Sequence, residues 1–152
     1  AMHVLRAEKG FIIVGQDTDG SVHPHDLGMS WAVAGNKPFS FVGRRGMVRQ
    51  DCLRDDRKQW VGIRTQDPDV VLPEGAQAVF DPGASTPVPM AGHVTSSYWS
   101  PSLGRSIAQG FVSGGHSRMG ETVYYPLADG RVIDAQICSP VFLDPQGERQ
   151  HV

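Results

Sequence analysis

The segment from Gly92 to Val112 restricts the fold more than any other part of the chain. Val94 and Thr95 are β-branched and open a strand. Ser100-Pro101-Ser102-Leu103-Gly104 is turn chemistry, because proline fixes φ and glycine tolerates conformations that side chains resist. Ile107, Gln109 and Phe111 then alternate with Ala108 and Gly110, and Val112 continues the small-residue face. A period of two with one bulky side is a β-strand signature. A hairpin cannot bury an apolar face alone, so this one requires a barrel or sandwich around it.

The flanking sequence agrees. Gln59–Arg64, Ala76–Phe80, Thr122–Leu127 and Val132–Ile137 read as strands, the last two joined by the hairpin signal Ala128-Asp129-Gly130. With 18 glycines and 11 prolines in 152 residues, short strands and turns are favoured over long helices. Gly114–Gly120 reads as a mobile loop. Upstream, His3–Val14 reads as one or two strands broken at Gly10. That pattern puts Arg6 and Glu8 on one face, either as a surface ion pair or with Glu8 offered to a ligand's N–H donors. Met29, Trp31 and Val33 alternate as a buried strand. Ser40 is the expected N-cap of a helix from Phe41 to about Arg54 whose wet face carries four arginines.

Several functions are excluded. The net charge of −2 argues against nucleic acid, and the aspartates near Arg44–Arg54 dilute the basic run. No stretch has transmembrane length. Asp17-Thr18-Asp19 resembles half of a calcium loop but lacks the downstream glutamate. His23-Pro24-His25-Asp26 lacks a third histidine at zinc spacing and reads as a solvated turn leading into a short helix. Cys52 and Cys138 read as reduced thiols of a cytoplasmic protein. Nucleophile-elbow, phosphate-loop and His-Glu-x-x-His patterns are absent, and His93 sits three residues from Ser96, on opposite faces of one strand. No catalytic residue and no metal ligand are assigned. Ala1-Met2 has the look of a vector remnant, and the abrupt start suggests a piece of a longer protein.

The blocks Leu5-Arg6-Ala7-Glu8-Lys9-Gly10, Gly15-Gln16-Asp17-Thr18-Asp19, Pro24–Val33 and Phe41-Val42-Gly43-Arg44 occur in the order found in the glycine-cleavage T-protein (aminomethyltransferase) family. The chain resembles that family over nearly its whole length. Its Ser-Ser-Tyr-Trp-Ser-Pro-Ser-Leu-Gly-Arg and Asp-Pro-Gln-Gly-Glu-Arg wording is similar to the branch formed by heterotetrameric sarcosine oxidase alpha subunits. The resemblance implies an α+β, mostly β, fold: a truncated end of the folate-binding lobes over residues 3–56, then a C-terminal antiparallel β-barrel over 57–152. It implies tetrahydrofolate as cofactor, with one-carbon transfer from an oxidised N-methyl amine giving 5,10-methylenetetrahydrofolate. Flavin and NAD would lie on other domains or subunits, a flavin-carrying subunit would be the partner, and the catalytic aspartate would lie outside residues 1–152, leaving this piece inactive alone.

Carried over residue by residue, the resemblance implies that Glu8 accepts hydrogen bonds from the pterin edge. Arg57 (with Arg54 and Arg64 nearby) and Arg149 become candidates for the folate's carboxylated tail. Tyr98 and Trp99 are candidates to stack on the ligand or to pack in the core. His23 stands where the family has threonine. A non-catalytic module docking a flavoprotein subunit is the competing reading. A regulatory folate-binding role in iron–sulfur assembly is disfavoured, because neither cysteine lies in a Lys-Gly-Cys-Tyr context. His3–Val14 is expected to be poorly supported, for want of partner strands.

Overall fold

The computed structural model describes residues 1–150. Its centre is a mostly β, antiparallel barrel of six strands: β1 Lys58–Thr65, β2 Gln77–Ala78, β3 Gly92–Ser100, β4 Arg105–Ser113, β5 Thr122–Pro126 and β6 Val132–Cys138. They are ordered β2-β3-β4-β1-β6-β5. The two edges meet just after β2, where Val79 N–H donates to Tyr124 O at 2.8 Å and Tyr124 N–H returns a bond of 3.0 Å. That nearly closes the barrel and removes the open edges an isolated sheet would expose. The interior is filled by Val61, Ile63, Leu72, Val94, Val112, Val123, Tyr125 and Ile137, with Ala78, Ala91, Ala108 and Ala135 between them. Small and large residues alternate because six strands enclose too little volume for large side chains at every position. Burying each of the larger apolar side chains contributes roughly 1.5–3 kcal/mol.

The organising hairpin is present as β3 and β4, but its bulky face does not fill the barrel. Ala108 and Val112 point inward, whereas Gln109 lies outside against residues 6 and 7. Strand register extends this outer face sideways: Phe111 lies between His93 and Trp60, Gln109 between Ser96 and Gly62, and Ile107 beside Tyr98. A β-bulge between Val94 and Ser96 shifts the alternation of β3, so Val94 points into the core while Ser96 and Tyr98 reach Arg6. Gly62 leaves room on this face for the tail, since a Cβ there would sit 2.2 Å from Ser139 O and 3.0 Å from Phe142 Cζ.

Residues 1–56 depart from the expectation. Met2–Glu8 is an α-helix (α1), not a strand. Gly10, at φ +74°, ends it: Phe11 N–H bonds Arg6 O at 2.9 Å and Gly10 N–H bonds Ala7 O at 3.1 Å. That is a Schellman cap, with glycine in the left-handed position such caps favour. The segment is not poorly supported, because it packs on the outer face of the hairpin. Met29–Val33 forms no buried strand; Ser30–Ala32 is a 3-10 turn and Trp31 is 81% exposed. Residues 24–28 make successive turns rather than a helix.

The long helix expected from Phe41 shrinks to α2 (Arg44–Met47) and a 3-10 turn at Gln50–Leu53. Val42, Val48 and Leu53 are exposed, so no packed face supports it, and Gly43 at φ +94° breaks its start. The loop at Gly114–Gly120 is anchored rather than loose. Gly115–Ser117 forms a 3-10 turn, and His116 N–H donates to Gln59 Oε1 at 2.8 Å.

Candidate functional site

Glu8 is the last residue of α1 and is 1% exposed. Ser100 Oγ donates to Glu8 Oε1 at 2.6 Å, and Leu103 N–H donates to that hydroxyl at 3.1 Å. The Glu8 carbonyl accepts from Phe142 N–H and Leu143 N–H, both at 2.9 Å. Helix end, hairpin turn and tail therefore converge on one residue. A carboxylate can accept about four hydrogen bonds. Among the described residues this one receives a single bond, on Oε1, and Oε2 receives none. Oε2 is not one of the buried side-chain atoms left without a partner, so its free lone pairs are unused acceptor capacity rather than a buried cost.

Arg6 does not pair with Glu8. The helix turns it onto the outer face, where Nη1 donates to Gln109 Oε1 at 3.0 Å, Phe11 O at 3.1 Å and Asp17 Oδ2 at 3.4 Å, and Nη2 donates to Ser96 Oγ and Tyr98 Oη. Asp17 is fully buried and also accepts from Ile13 N–H and Trp60 Nε1. Gln109 uses its amide to donate to Ala7 O at 3.0 Å. This polar seam fixes α1 against the barrel and so sets where Glu8 lies. Sequence reasoning missed Ser100, Asp17 and Gln109. A glutamine amid the small and apolar residues of β4 was the signal available, since a buried amide needs partners.

Arg57 lies just before β1 and is spent within the chain. Nε donates to Asp26 Oδ1 at 3.0 Å, Nη2 to Asp26 Oδ2 at 2.5 Å and Ser21 O at 2.8 Å, and Nη1 to Asp51 Oδ2 at 2.8 Å and Asp51 O at 3.2 Å. All five guanidinium donors are thereby used. Tyr98 is half-buried, with Arg6 over its ring at 5.6 Å and His3 stacked at 6.4 Å. Trp99 is exposed. Arg149 is exposed in the tail, and its guanidinium has no partner among the described residues. Lys9 Nζ holds the start of that tail by donating to Asp144 O at 2.7 Å. Glu8 and Arg149 thus belong to one neighbourhood of helix end and tail, while Arg57 braces another.

Two clefts open on the described residues; Arg57 lines the first, and Glu8, Tyr98 and Arg149 line neither. A polar one of about 570 Å³ is lined by Asp19, Arg57, Lys58, His93 and Phe111, among others. Burial and the Lys58 charge hold His93 below the usual imidazole range, with Asp19 opposing. An apolar cleft of about 500 Å³ is lined by Phe11, Leu27, Met29, Trp31, Trp60 and His116, among others. Burial also depresses His23, whose ring stands 4.9 Å from that of His25. Among the described residues no three His, Cys, Asp or Glu side chains gather to hold a metal, and no helix is long and apolar enough to cross a membrane.

Comparison with known proteins finds relatives over nearly the whole chain. Over 151 residues the chain is 48% identical to sarcosine oxidase subunit alpha of Corynebacterium sp. (strain P-1), covering 98% of this chain and 15% of that protein. The same subunit of Rhizobium meliloti is 38% identical over 152 residues, 99% of this chain and 15% of the relative. A probable aminomethyltransferase of Halobacterium salinarum is 34% identical over 147 residues, covering 95% and 37%. The chain thus spans about 15% of the length of its sarcosine oxidase relatives. The glycine cleavage system aminomethyltransferase T of Bartonella henselae shares the fold, with a TM-score of 0.76 at 24% identity over 95% of this chain and 38% of that one. Residues 58–144, which hold all six strands of the barrel and the loops between them, match the glycine cleavage T-protein C-terminal barrel domain, and the chain belongs to that family.

Proposed function

We propose that this chain forms part of the folate-binding wall of a sarcosine oxidase alpha-like protein. In that protein the one-carbon group of an oxidised N-methyl amine passes to tetrahydrofolate, giving 5,10-methylenetetrahydrofolate. The observation that carries the reading is Glu8, a buried carboxylate supplied with one hydrogen bond although it can accept several. A reduced pterin edge carries adjacent N–H donors, which are the groups such a carboxylate lacks. Arg149 is the proposed cation for the carboxylated tail, being exposed and unpaired among the described residues. Arg57 and Tyr98 serve from behind in this reading, Arg57 bracing residues 21–26 and Tyr98 backing Arg6. The residues that move protons, the flavin and the NAD site lie elsewhere in the longer protein or its partner subunits, in the cytoplasm.

The test is calorimetric titration of the full-length protein with 5-formyltetrahydrofolate, for wild type and Glu8→Ala. Losing a pair of charge-assisted bonds weakens binding by at least tenfold. Equal affinity for both proteins overturns the reading. A second reading, docking of a flavin-carrying subunit, is favoured by the apolar residues Leu5, Phe11, Trp31 and Val42 exposed on residues 1–56. Under that reading Trp31→Ser weakens subunit assembly while Glu8→Ala leaves folate affinity unchanged.

A further inference from the structure

We propose that Ser100 is a positioning residue for Glu8, acting from the hairpin turn to aim the free carboxylate oxygen. This rests on the reading of Glu8 as a ligand acceptor. Three observations carry it. First, Ser100 is 0% exposed, so no solvent competes for its hydroxyl. Second, the hydroxyl has one proton and gives it to Glu8 Oε1 at 2.6 Å, while Leu103 N–H occupies a lone pair at 3.1 Å. The rotor is thus held at both ends, and the donor cannot turn to another acceptor. Third, the main chain of Glu8 is already fixed. Its carbonyl takes two backbone bonds from the tail, and the cap at Gly10 fixes the residues that follow. The side-chain torsions are the freedom left, and the Ser100 bond removes it.

Ordinary forces do not place the carboxylate there. Glu8 sits at the C-terminal end of α1, where the aligned peptide dipoles disfavour negative charge. Without Ser100 the side chain would gain by swinging toward water. The serine itself is placed by hairpin register: Ser100 pairs with Arg105 across the turn. Residues 101–104 therefore act on the site at one remove, by fixing the strand end that carries the hydroxyl. Ser100 also caps its own turn through Leu103 N–H, and that local role alone would account for the serine without Glu8.

The two roles separate in a double-mutant cycle on the full-length protein, titrated with 5-formyltetrahydrofolate. Ser100→Ala weakens binding about tenfold in the wild-type background and less than about twofold in the Glu8→Ala background. Ser100→Cys, which keeps the volume with a weaker donor, falls between and serves if the alanine variant does not fold. Equal losses in both backgrounds, or no loss in either, overturn the proposal. If Glu8→Ala itself has no effect, the reading of Glu8 fails and this one falls with it. If Glu8→Ala weakens binding and Ser100→Ala does not, only the role of Ser100 is refuted.

Discussion

Replacing Arg57 with alanine tests the physical account of the brace between residues 21–26 and β1. Asp26 is 4% exposed and Arg57 13% exposed. The guanidinium supplies Asp26 with bonds on both carboxylate oxygens, and only His23 N–H, at 2.9 Å, remains once it is gone. Asp26 is then left in a buried place with one donor, and Ser21 O loses its partner. Removing one member of a buried pair costs about 3–5 kcal/mol. The Asp51 contact adds little, because Asp51 is solvent-exposed and such pairs contribute under about 1 kcal/mol. With a urea m-value of roughly 2 kcal/mol/M for a chain of this size, the midpoint falls by about 1.5–2.5 M. The Arg57→Met, Asp26→Leu double variant removes both charges and recovers most of the loss. Urea titration followed by tryptophan fluorescence reads both. A loss under about 1 kcal/mol, or a double variant no better than the single, refutes the argument that desolvation of the orphaned carboxylate sets the cost.

Two further outcomes follow from the same geometry. Gly62→Ala places a methyl group 2.2 Å from Ser139 O, so the tail must lift; we expect a loss of at least ~1–3 kcal/mol in urea titration, and an unchanged midpoint would mean that the tail does not lie against β1. His93 is held below its unfolded value of 6.5 by burial and by Lys58, so the folded state binds fewer protons. Its contribution is therefore complete above about pH 6.5 and is lost as pH falls through that value toward the lowered one. Stability rises with pH across this window, and His93→Gln flattens the rise. His23 contributes with the same sign, so the slope does not vanish; an unaltered slope in His93→Gln refutes the assignment.

The barrel was legible because its strands carry the period-two signal and its turns carry glycine and proline. Lys58–Thr65, Thr122–Pro126 and Val132–Cys138 fall within a residue or two of the segments read from the sequence. The N-terminal region was misread for a physical reason. In Val4–Lys9 the same residues satisfy a period of two and a short helix, and only Gly10, two residues beyond Glu8, marks a helix end. At Phe41–Arg54 an apolar stripe exists in the sequence, but a stripe makes a helix only if a surface covers it, and Val42 and Val48 meet none here. Within the proposed site, spacing offered Glu8 to a ligand only as one of two alternatives, and the resemblance supplied the preference. Ser100 looked like turn chemistry, and that it also serves Glu8 depends on a contact across 92 residues of chain that no local pattern encodes.

Strand β4 has no side facing water, since every residue from Ser106 to Val112 is buried. A matched segment and an autonomous unit are therefore different things in this chain. Cutting at residue 58 would preserve every strand of the barrel, yet it would strip away the residues that lie against Gln109, Trp60 and Phe111. The excised barrel would carry a new apolar and amide-bearing face, suited to self-association rather than to a monomeric life. The helix that ends at Glu8 thus acts as part of the barrel's solubility.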